Sequence, residues 1–272
     1  MNIKQAISWA SDELTLVCER PIFEAQLILC HHLKCTRVFL LANEEKILND
    51  VEFFKEMIKR RKDSEPYEYI SNNVSFYDIN LFVEQGVLIP RPETELLIDE
   101  VSKIVKEEEI TTIAEIGIGS GAISIILARK FPNLKIIATD ISQDALRIAK
   151  KNIEYFGLSD KIKLIHTNLL DGVQDNIDMI VSNPPYIAND FILDKNIIKY
   201  EPKEALFGGI VGDEILKKII DLAKIKEVKF LACEMGYDQK QSIAKYLNQI
   251  NINSVKFYKD LAGLDRGFII KF

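Results

Sequence analysis

Between residues 113 and 140 the chain leaves few folding options. Ile113-Ala114-Glu115-Ile116 is a short apolar run, Gly117-Ile118-Gly119-Ser120-Gly121 is a glycine-rich turn, and Ala122 to Ala128 is an apolar helical stretch. A short apolar run bounded by turn residues suits a strand buried on both faces, the kind found in parallel sheets covered by helices. The glycines let the backbone turn sharply and approach a ligand closely. Asp140 closes the next strand, Lys135 to Thr139, where a carboxylate can bind ribose hydroxyls. This order predicts an α/β fold, a doubly wound sheet carrying an adenosine-containing cofactor. It does not choose between NAD and S-adenosylmethionine, because Gly117, Gly119 and Ala122 also satisfy the dinucleotide pattern G-x-G-x-x-G/A.

A second segment narrows the chemistry. Asp178 to Val181 reads as another buried strand, and Asn183-Pro184-Pro185-Tyr186 follows it. Two prolines forbid further ladder pairing and stiffen the backbone where the strand ends. The turn therefore holds a carboxamide and an aromatic ring at the carboxyl edge of the sheet, where open α/β sheets bind ligands. A primary amide or exocyclic amine is planar, carries two N–H donors and is a poor nucleophile because its lone pair is delocalised. The Asn183 side-chain oxygen and the Pro184 carbonyl can each accept one N–H, and Tyr186 can pack on the planar face. Such a cradle aims the nitrogen lone pair at an electrophile, and positioning of this kind supplies roughly 7–11 kcal/mol of a barrier at near-attack geometry. Hydride transfer would instead call for a polarising acid or a redox partner. The motif resembles that of methyltransferases acting on amide or exocyclic amino nitrogens. Asn168, at the end of the strand Lys161 to Ile165, is placed to accept from an adenine amino group, or is a plain turn residue.

The rest of the chain sets bounds. Its 272 residues carry a net charge of −6, which argues against sequence-blind nucleic-acid binding through a basic surface. Hydrophobic residues make up 47%, enough for a full core. No apolar run approaches the ~20 residues that span a bilayer, no signal peptide opens the chain, and the cysteines form no disulfide framework. A cytoplasmic protein with no membrane contact is expected. Residues 1–72 read as a helical domain, with Ile3, Ile7, Ala10, Leu14 and Val17 at helical spacing and Pro21 as a first helical residue. Cys30-His31-His32 with Cys35 looks metal-like, but adjacent histidines on a helix point in different directions, and no metal is expected. Lys59-Arg60-Arg61-Lys62 suits a solvated helix C-terminus better than an RNA contact. Residues 73–90 read as a hairpin, Asn73 to Tyr77 with Asn80 to Val87, and residues 91–272 as the catalytic domain. Arg91, flanked by Pro90 and Pro92, sits in a stiff segment that is a linker or a strap over the cofactor. After Tyr186 a loop of some twenty residues without structure of its own is expected. Two closing strands, near Ser254 to Tyr258 and Gly267 to Lys271, suggest an antiparallel end to the sheet.

Taken together, these residues resemble the release factor glutamine methyltransferase family over nearly the full length. The matching segments are Glu65-Pro66-Tyr67-Glu68-Tyr69-Ile70, Leu88 to Leu97, Glu115 to Ala122, Thr139-Asp140-Ile141-Ser142, Asn183-Pro184-Pro185-Tyr186-Ile187, Glu201-Pro202 with Ala205-Leu206, and Asp260-Leu261-Ala262-Gly263. The tetrapeptide alone is shared across classes; coupled to Ile89-Pro90-Arg91-Pro92-Glu93-Thr94-Glu95 and the helical head it is specific. The resemblance implies a helical substrate-recognition domain joined by a hairpin to a Rossmann-like, seven-stranded methyltransferase sheet with an antiparallel last strand. It implies methyl transfer from S-adenosylmethionine to the side-chain amide nitrogen of the glutamine in the Gly-Gly-Gln loop of class 1 peptide-chain release factors, and a monomer is expected. Gly117, Ile118, Gly119, Ser120 and Gly121 would hold the methionine part of the cofactor, Asp140 the ribose and Asn168 the adenine. Asn183 would contact the cofactor and bind the target amide, and Asn183, Pro184, Pro185 and Tyr186 would form the catalytic, substrate-binding turn, with the prolines shaping it and Tyr186 packing beside it. Glu115 and Asn168 stand where the family commonly has Asp, and Val211 replaces an Asp commonly found after Gly208-Gly209. The rival readings are a DNA or RNA adenine amino-methyltransferase, an NAD-dependent oxidoreductase and a non-catalytic binding module.

Overall fold

Helices of the first residues begin where the sequence supplies a stop for the preceding chain. In the computed structural model, which describes residues 1–272 apart from the side chain of Lys195, α1 (Ile3–Leu14) starts with a capping box. The Asn2 side chain accepts from the Gln5 N–H, and the Gln5 side chain accepts from the Asn2 N–H. α2 (Pro21–Leu33) has its proline in the first turn, α3 (Arg37–Ala42) is capped by Thr36, and α4 (Val51–Lys62) by Asp50. α5 (Tyr67–Ser71) follows Pro66. Ile3, Ala6, Ala10 and Leu14 of α1 are buried with Ile28 and Leu29 of α2 and Phe54, Met57 and Ile58 of α4. The basic end of α4 is occupied by acids of the same unit: Arg60 pairs with Glu65, Arg61 with Glu24 at 3.1 Å and Lys62 with Glu13 at 2.6 Å. Cys30, His31, His32 and Cys35 line a shallow depression with Phe53 and Tyr67. Among the described residues no three His, Cys, Asp or Glu side chains gather as a metal-ligand set.

The chain divides into two compact units, Met1–Asn73 and Val74–Phe272, and the second opens with a hairpin of β1 (Val74–Phe76) and β2 (Ile79–Leu81). The sequence reading runs the second strand on to Val87; the structure stops it at Leu81. The Asn152 carboxamide explains the early end, since it accepts the Phe82 N–H at 2.8 Å and donates to the Phe82 carbonyl at 2.9 Å. One side chain thus satisfies the groups a ladder partner would have taken.

Next come α6 (Thr94–Glu107), β3 (Thr112–Ile116), α7 (Ala122–Lys130), β4 (Lys135–Asp140), α8 (Gln143–Tyr155), β5 (Ile162–His166) and β6 (Met179–Ser182). Then follow β7 (Ile187–Ala188), α9 (Lys195–Tyr200), β8 (Phe207–Gly209), α10 (Glu214–Ile225), β9 (Phe230–Glu234), α11 (Lys240–Gln249), β10 (Val255–Lys259) and β11 (Asp265–Lys271). Seven of these strands form one sheet in the order β10-β11-β9-β6-β3-β4-β5, in which only β11 runs antiparallel to its neighbours. This is the Rossmann-like sheet expected from the sequence. Ile180, Leu231 and Phe268 of the sheet are buried with Leu216, Ile219 and Ile220 of α10 and Ile243 of α11. The order of connection reverses between β3 and β6, and the crevice at that switch point opens beyond the carboxyl ends of the strands. No helix among the described residues is long and apolar enough to cross a membrane.

The stretch after Tyr186 differs from the expected bare loop. It contains α9, a short 3-10 turn (Lys203–Ala205) and the parallel pair β7–β8. Strands of two and three residues carry no readable periodicity, which is why the pair escapes a sequence reading.

Asp178 fastens the amino end of the sheet. Its Oδ2 accepts the Thr111 N–H at 2.8 Å, the Thr111 hydroxyl at 2.9 Å and the Thr112 N–H at 3.0 Å, and Lys229 lies 2.9 Å from Oδ1. Burial alone would raise the carboxyl pKa, but Lys229 and the Thr111 and Thr112 donors outweigh it and hold it at about 2, below an ordinary 3.8. A depressed folded-state pKa gives stability that is full above the unfolded value and lost as pH falls through the folded one, here about 2 kcal/mol. Asp178→Asn is expected to cost about that much at pH 7. In urea denaturation the gap to wild type should narrow between pH 4 and pH 2; a gap that stays constant would refute this account.

Candidate active site

A cavity of about 580 Å³ opens at the carboxyl edge of β3, β4 and β6. Of the residues singled out from the sequence, Gly117, Ile118, Gly119, Ser120, Asp140, Asn168, Asn183, Pro184 and Pro185 line it. The turn after β3 reaches the cavity because Gly117 (φ 76°), Gly119 (φ 56°) and Gly121 (φ 90°) occupy the left-handed region, which glycine enters without steric cost. The Gly117 and Ile118 N–H groups both donate to the Thr139 carbonyl, at 2.9 and 3.0 Å, and fold the turn back onto β4. Gly121 does not line the cavity. It precedes α7, where a Cβ would meet Ile125 at 3.1 Å and Ala149 at 3.7 Å.

Two carboxylates stand on this side. Asp140 accepts the Gly119 N–H through Oδ2 at 3.0 Å and the Ser142 N–H through Oδ1 at 2.9 Å. Burial raises its pKa while these backbone donors pull it down. Each oxygen keeps lone-pair capacity for a ligand hydroxyl. Glu115 is 1% exposed and turns towards the start of α7, where Oε2 accepts the Ser124 N–H at 3.0 Å and also the Ser124 hydroxyl. Burial pushes its pKa to about 8, against the stabilising Ser124 donors. A carboxylate at a helix N-terminus is also favoured by the helix dipole.

Across the cavity, the Asn183 turn is held from behind. Asn183 Nδ2 donates to Thr94 Oγ1 at 3.0 Å, and the Thr94 hydroxyl donates to Glu234 Oε2 at 2.8 Å. The Tyr186 hydroxyl donates to Glu234 Oε1 at 3.1 Å. Tyr186 therefore does not stand on the cavity wall; its ring packs against the core formed by the sheet with α10 and α11. Glu234 is 2% exposed, and burial raises its pKa to about 7 although Thr94, Tyr186 and Arg266 favour the charged form. Burial and the neighbouring Glu234 push the Tyr186 phenol upward. Gly208 of β8 presses on the turn from outside: a Cβ there would fall 2.5 Å from the Pro185 carbonyl oxygen and 2.9 Å from Tyr186 Cα. Gln239 Nε2 completes the frame by donating to the Tyr186 carbonyl at 2.8 Å.

Thr94 and Glu234 are the residues the sequence reading did not single out. Glu234 had a usable signal, since it closes the apolar strand β9 as Asp140 closes β4. Thr94 lies within the segment Ile89 to Glu95 that carries the family resemblance, but by itself it reads as an early residue of α6.

The segment Leu88 to Arg91 forms another wall, facing Pro202 and Ala205. Arg91 Nη2 lies 2.5 Å from Glu201 Oε1, and Glu201 Oε2 accepts the Ile89 N–H at 3.3 Å. The strap reading of this proline-flanked segment fits these contacts, and buried Glu201 is its anchor.

Known proteins resemble this chain in sequence and in fold. Residues 5–71 match the family profile described as PrmC N-terminal domain, and residues 92–200 match that described as Methyltransferase small domain. A release factor glutamine methyltransferase of Dictyoglomus turgidum is 38% identical over 235 residues, covering 85% of this chain and 83% of its own. One from Coxiella burnetii is 35% identical, covering 100% of this chain and 99% of its own. Among solved structures, the catalytic domain of human METTL16 in complex with a MAT2A 3'UTR hairpin superposes with a TM-score of 0.60 over 82% of this chain and 81% of that one. At 18% identity that likeness speaks for the fold alone.

Proposed function

Since the chain belongs to the release factor glutamine methyltransferase family, we propose that it methylates the side-chain amide nitrogen of the glutamine in the Gly-Gly-Gln loop of class 1 peptide-chain release factors, with S-adenosylmethionine as donor. The modification would act on translation termination, in the cytoplasm, through a monomeric enzyme. The observation that carries this reading is the Asn183 carboxamide, with its nitrogen tied to Thr94 and its oxygen left for a ligand in the same cavity as Asp140.

The residues around the cavity suit the donor. Asp140 retains acceptor capacity for the two ribose hydroxyls, the Gly117–Ser120 turn allows close backbone approach to the methionine part, and Asn168 offers a neutral contact to adenine. When bound, the donor supplies an electrophilic methyl group on a sulfonium centre. Asn183 Oδ1 and the Pro184 carbonyl would accept the two N–H groups of the glutamine amide and turn its nitrogen lone pair towards that methyl. Glu234, behind Thr94 and off the cavity wall, does not reach the acceptor nitrogen, so the surplus proton leaves to solvent after transfer. The helical unit, residues 1–73, would recognise the release factor surface around the loop, with the catalytic unit following it.

The test is a transfer assay with labelled S-adenosylmethionine and a purified release factor, beside the same factor with the loop glutamine replaced. Label on the unaltered factor alone is expected. Label on neither would move the acceptor elsewhere, with an adenine amino group of DNA or RNA as the next substrate to assay.

A further inference from the structure

A carboxamide presents either its oxygen or its NH2 to a ligand, and the two ends are distinguished by their hydrogen-bond partners. Among the described residues the Asn183 side chain is bonded to Thr94, whose hydroxyl has one proton to give. Glu234 receives both Thr94 and Tyr186, at 2.8 and 3.1 Å. An ionised carboxylate has no proton, so both hydroxyls must donate to it. The Thr94 lone pair is then left for Asn183, whose NH2 must face Thr94 and whose oxygen must face the cavity. A protonated Glu234 has to donate in one of these two directions. Donation to Tyr186 leaves Thr94 and Asn183 as they are, whereas donation to Thr94 frees the threonine proton for Asn183 and lets the carboxamide turn over to offer NH2 to the cavity. That end repels the N–H groups of an amide acceptor.

We propose that Glu234, acting through Thr94, is a positioning residue that sets the polarity of the Asn183 carboxamide and so makes methyl transfer depend on Glu234 being ionised. The inference rests on the reading that the acceptor amide donates to Asn183. Glu234 lies at the end of β9 with Thr94 of α6 and Tyr186 bonded to it. Arg266 of β11 favours its charge and Glu93 opposes it, and Glu234 and Cys233 in turn raise the pKa of the buried phenol of Tyr258 on β10. Burial brings its titration to about pH 7, within the working range of a transfer assay.

The experiment follows kcat against pH at saturating S-adenosylmethionine and release factor, which reports groups in the bound complex. Saturation keeps the donor-side acids Asp140 and Glu115 from shaping the curve through affinity. Wild type should lose rate below pH 7, and Glu234→Gln should abolish that acid limb. Thr94→Val should lower kcat about 10²-fold, the size of effect expected from a misplaced reactive group. Thr94→Ser should restore most of it. Calorimetric titration with S-adenosylmethionine should give unchanged affinity in all variants, which also shows that they fold. An acid limb that survives Glu234→Gln, or equal kcat for Thr94→Val and Thr94→Ser, would overturn the inference and leave the substrate reading intact. A folded wild type that transfers nothing to the release factor would overturn both.

Discussion

Asn183→Ala is expected to lower kcat by about 10²–10³, the usual cost of losing one preorganised hydrogen-bonding group at a reacting centre. The substitution removes the Oδ1 acceptor and leaves the Pro184 carbonyl, so one acceptor N–H loses its partner and the amide swings out of line. Thr94 still donates to Glu234, and Tyr186 keeps its bond to the same carboxylate. The stability cost should therefore stay near the ~1 kcal/mol of a single hydrogen bond. Donor affinity should hold, because Asp140 and the glycine turn are untouched. Single-turnover transfer with both substrates saturating, paired with calorimetry for the donor, separates the two quantities. Turnover close to wild type would end the cradle account.

Gly208→Ala should be strongly damaging for a single added methyl group. The added carbon would lie 2.4 Å from the Gly212 carbonyl oxygen, 2.5 Å from that of Pro185 and 2.9 Å from Tyr186 Cα. All three are backbone atoms, and one belongs to a proline with fixed φ, so none can rotate aside. Relief requires β8 to part from the Asn183 turn, and the acceptor site parts with it. We expect a loss of about 3 kcal/mol in urea denaturation, the upper range for overpacking, and transfer at the limit of detection. Gly157→Ala is the comparison. Its φ of 66° strains any L-residue, but nothing lies within 4 Å of the new carbon, so only the backbone cost of about 1–2 kcal/mol applies. Equal midpoints for the two variants would show that close packing on the turn is not what Gly208 provides.

These two glycines also show where a sequence stops being readable. The Gly117–Gly121 turn with Asp140, and the Asn183 turn with its prolines, are local: neighbouring residues state the strand, the break and the turn. The polar chain behind Asn183 is not local. Thr94 lies 89 positions from Asn183 and 140 from Glu234, and the pairing of β9 with β6, together with α6 packed against β9, brings them together. Phe82 and Asn152, 70 positions apart, end the hairpin early for the same reason. Tyr186 shows the opposite error. Its neighbours suggest a ring beside the ligand, whereas burial of an aromatic face in the core and a carboxylate for its hydroxyl draw it behind the turn. Glu115 lines the cavity, but its bond to Ser124 in the next helix is not readable from its neighbours in β3.

β11 comes last of the sheet strands in the chain, yet it sits between β9 and β10 and not at the border. While the chain is being synthesised, β9 emerges with all five of its residues of core character and with one row of backbone donors and acceptors unmatched. Such an open apolar row is a template for another chain. Residues 265–271 follow the glycine turn, the Asn183 turn and Glu234 in the chain. The seven residues of β11 thus cover an edge as well as complete a sheet: a chain lacking them would carry the residues of the reactive constellation beside an adhesive seam.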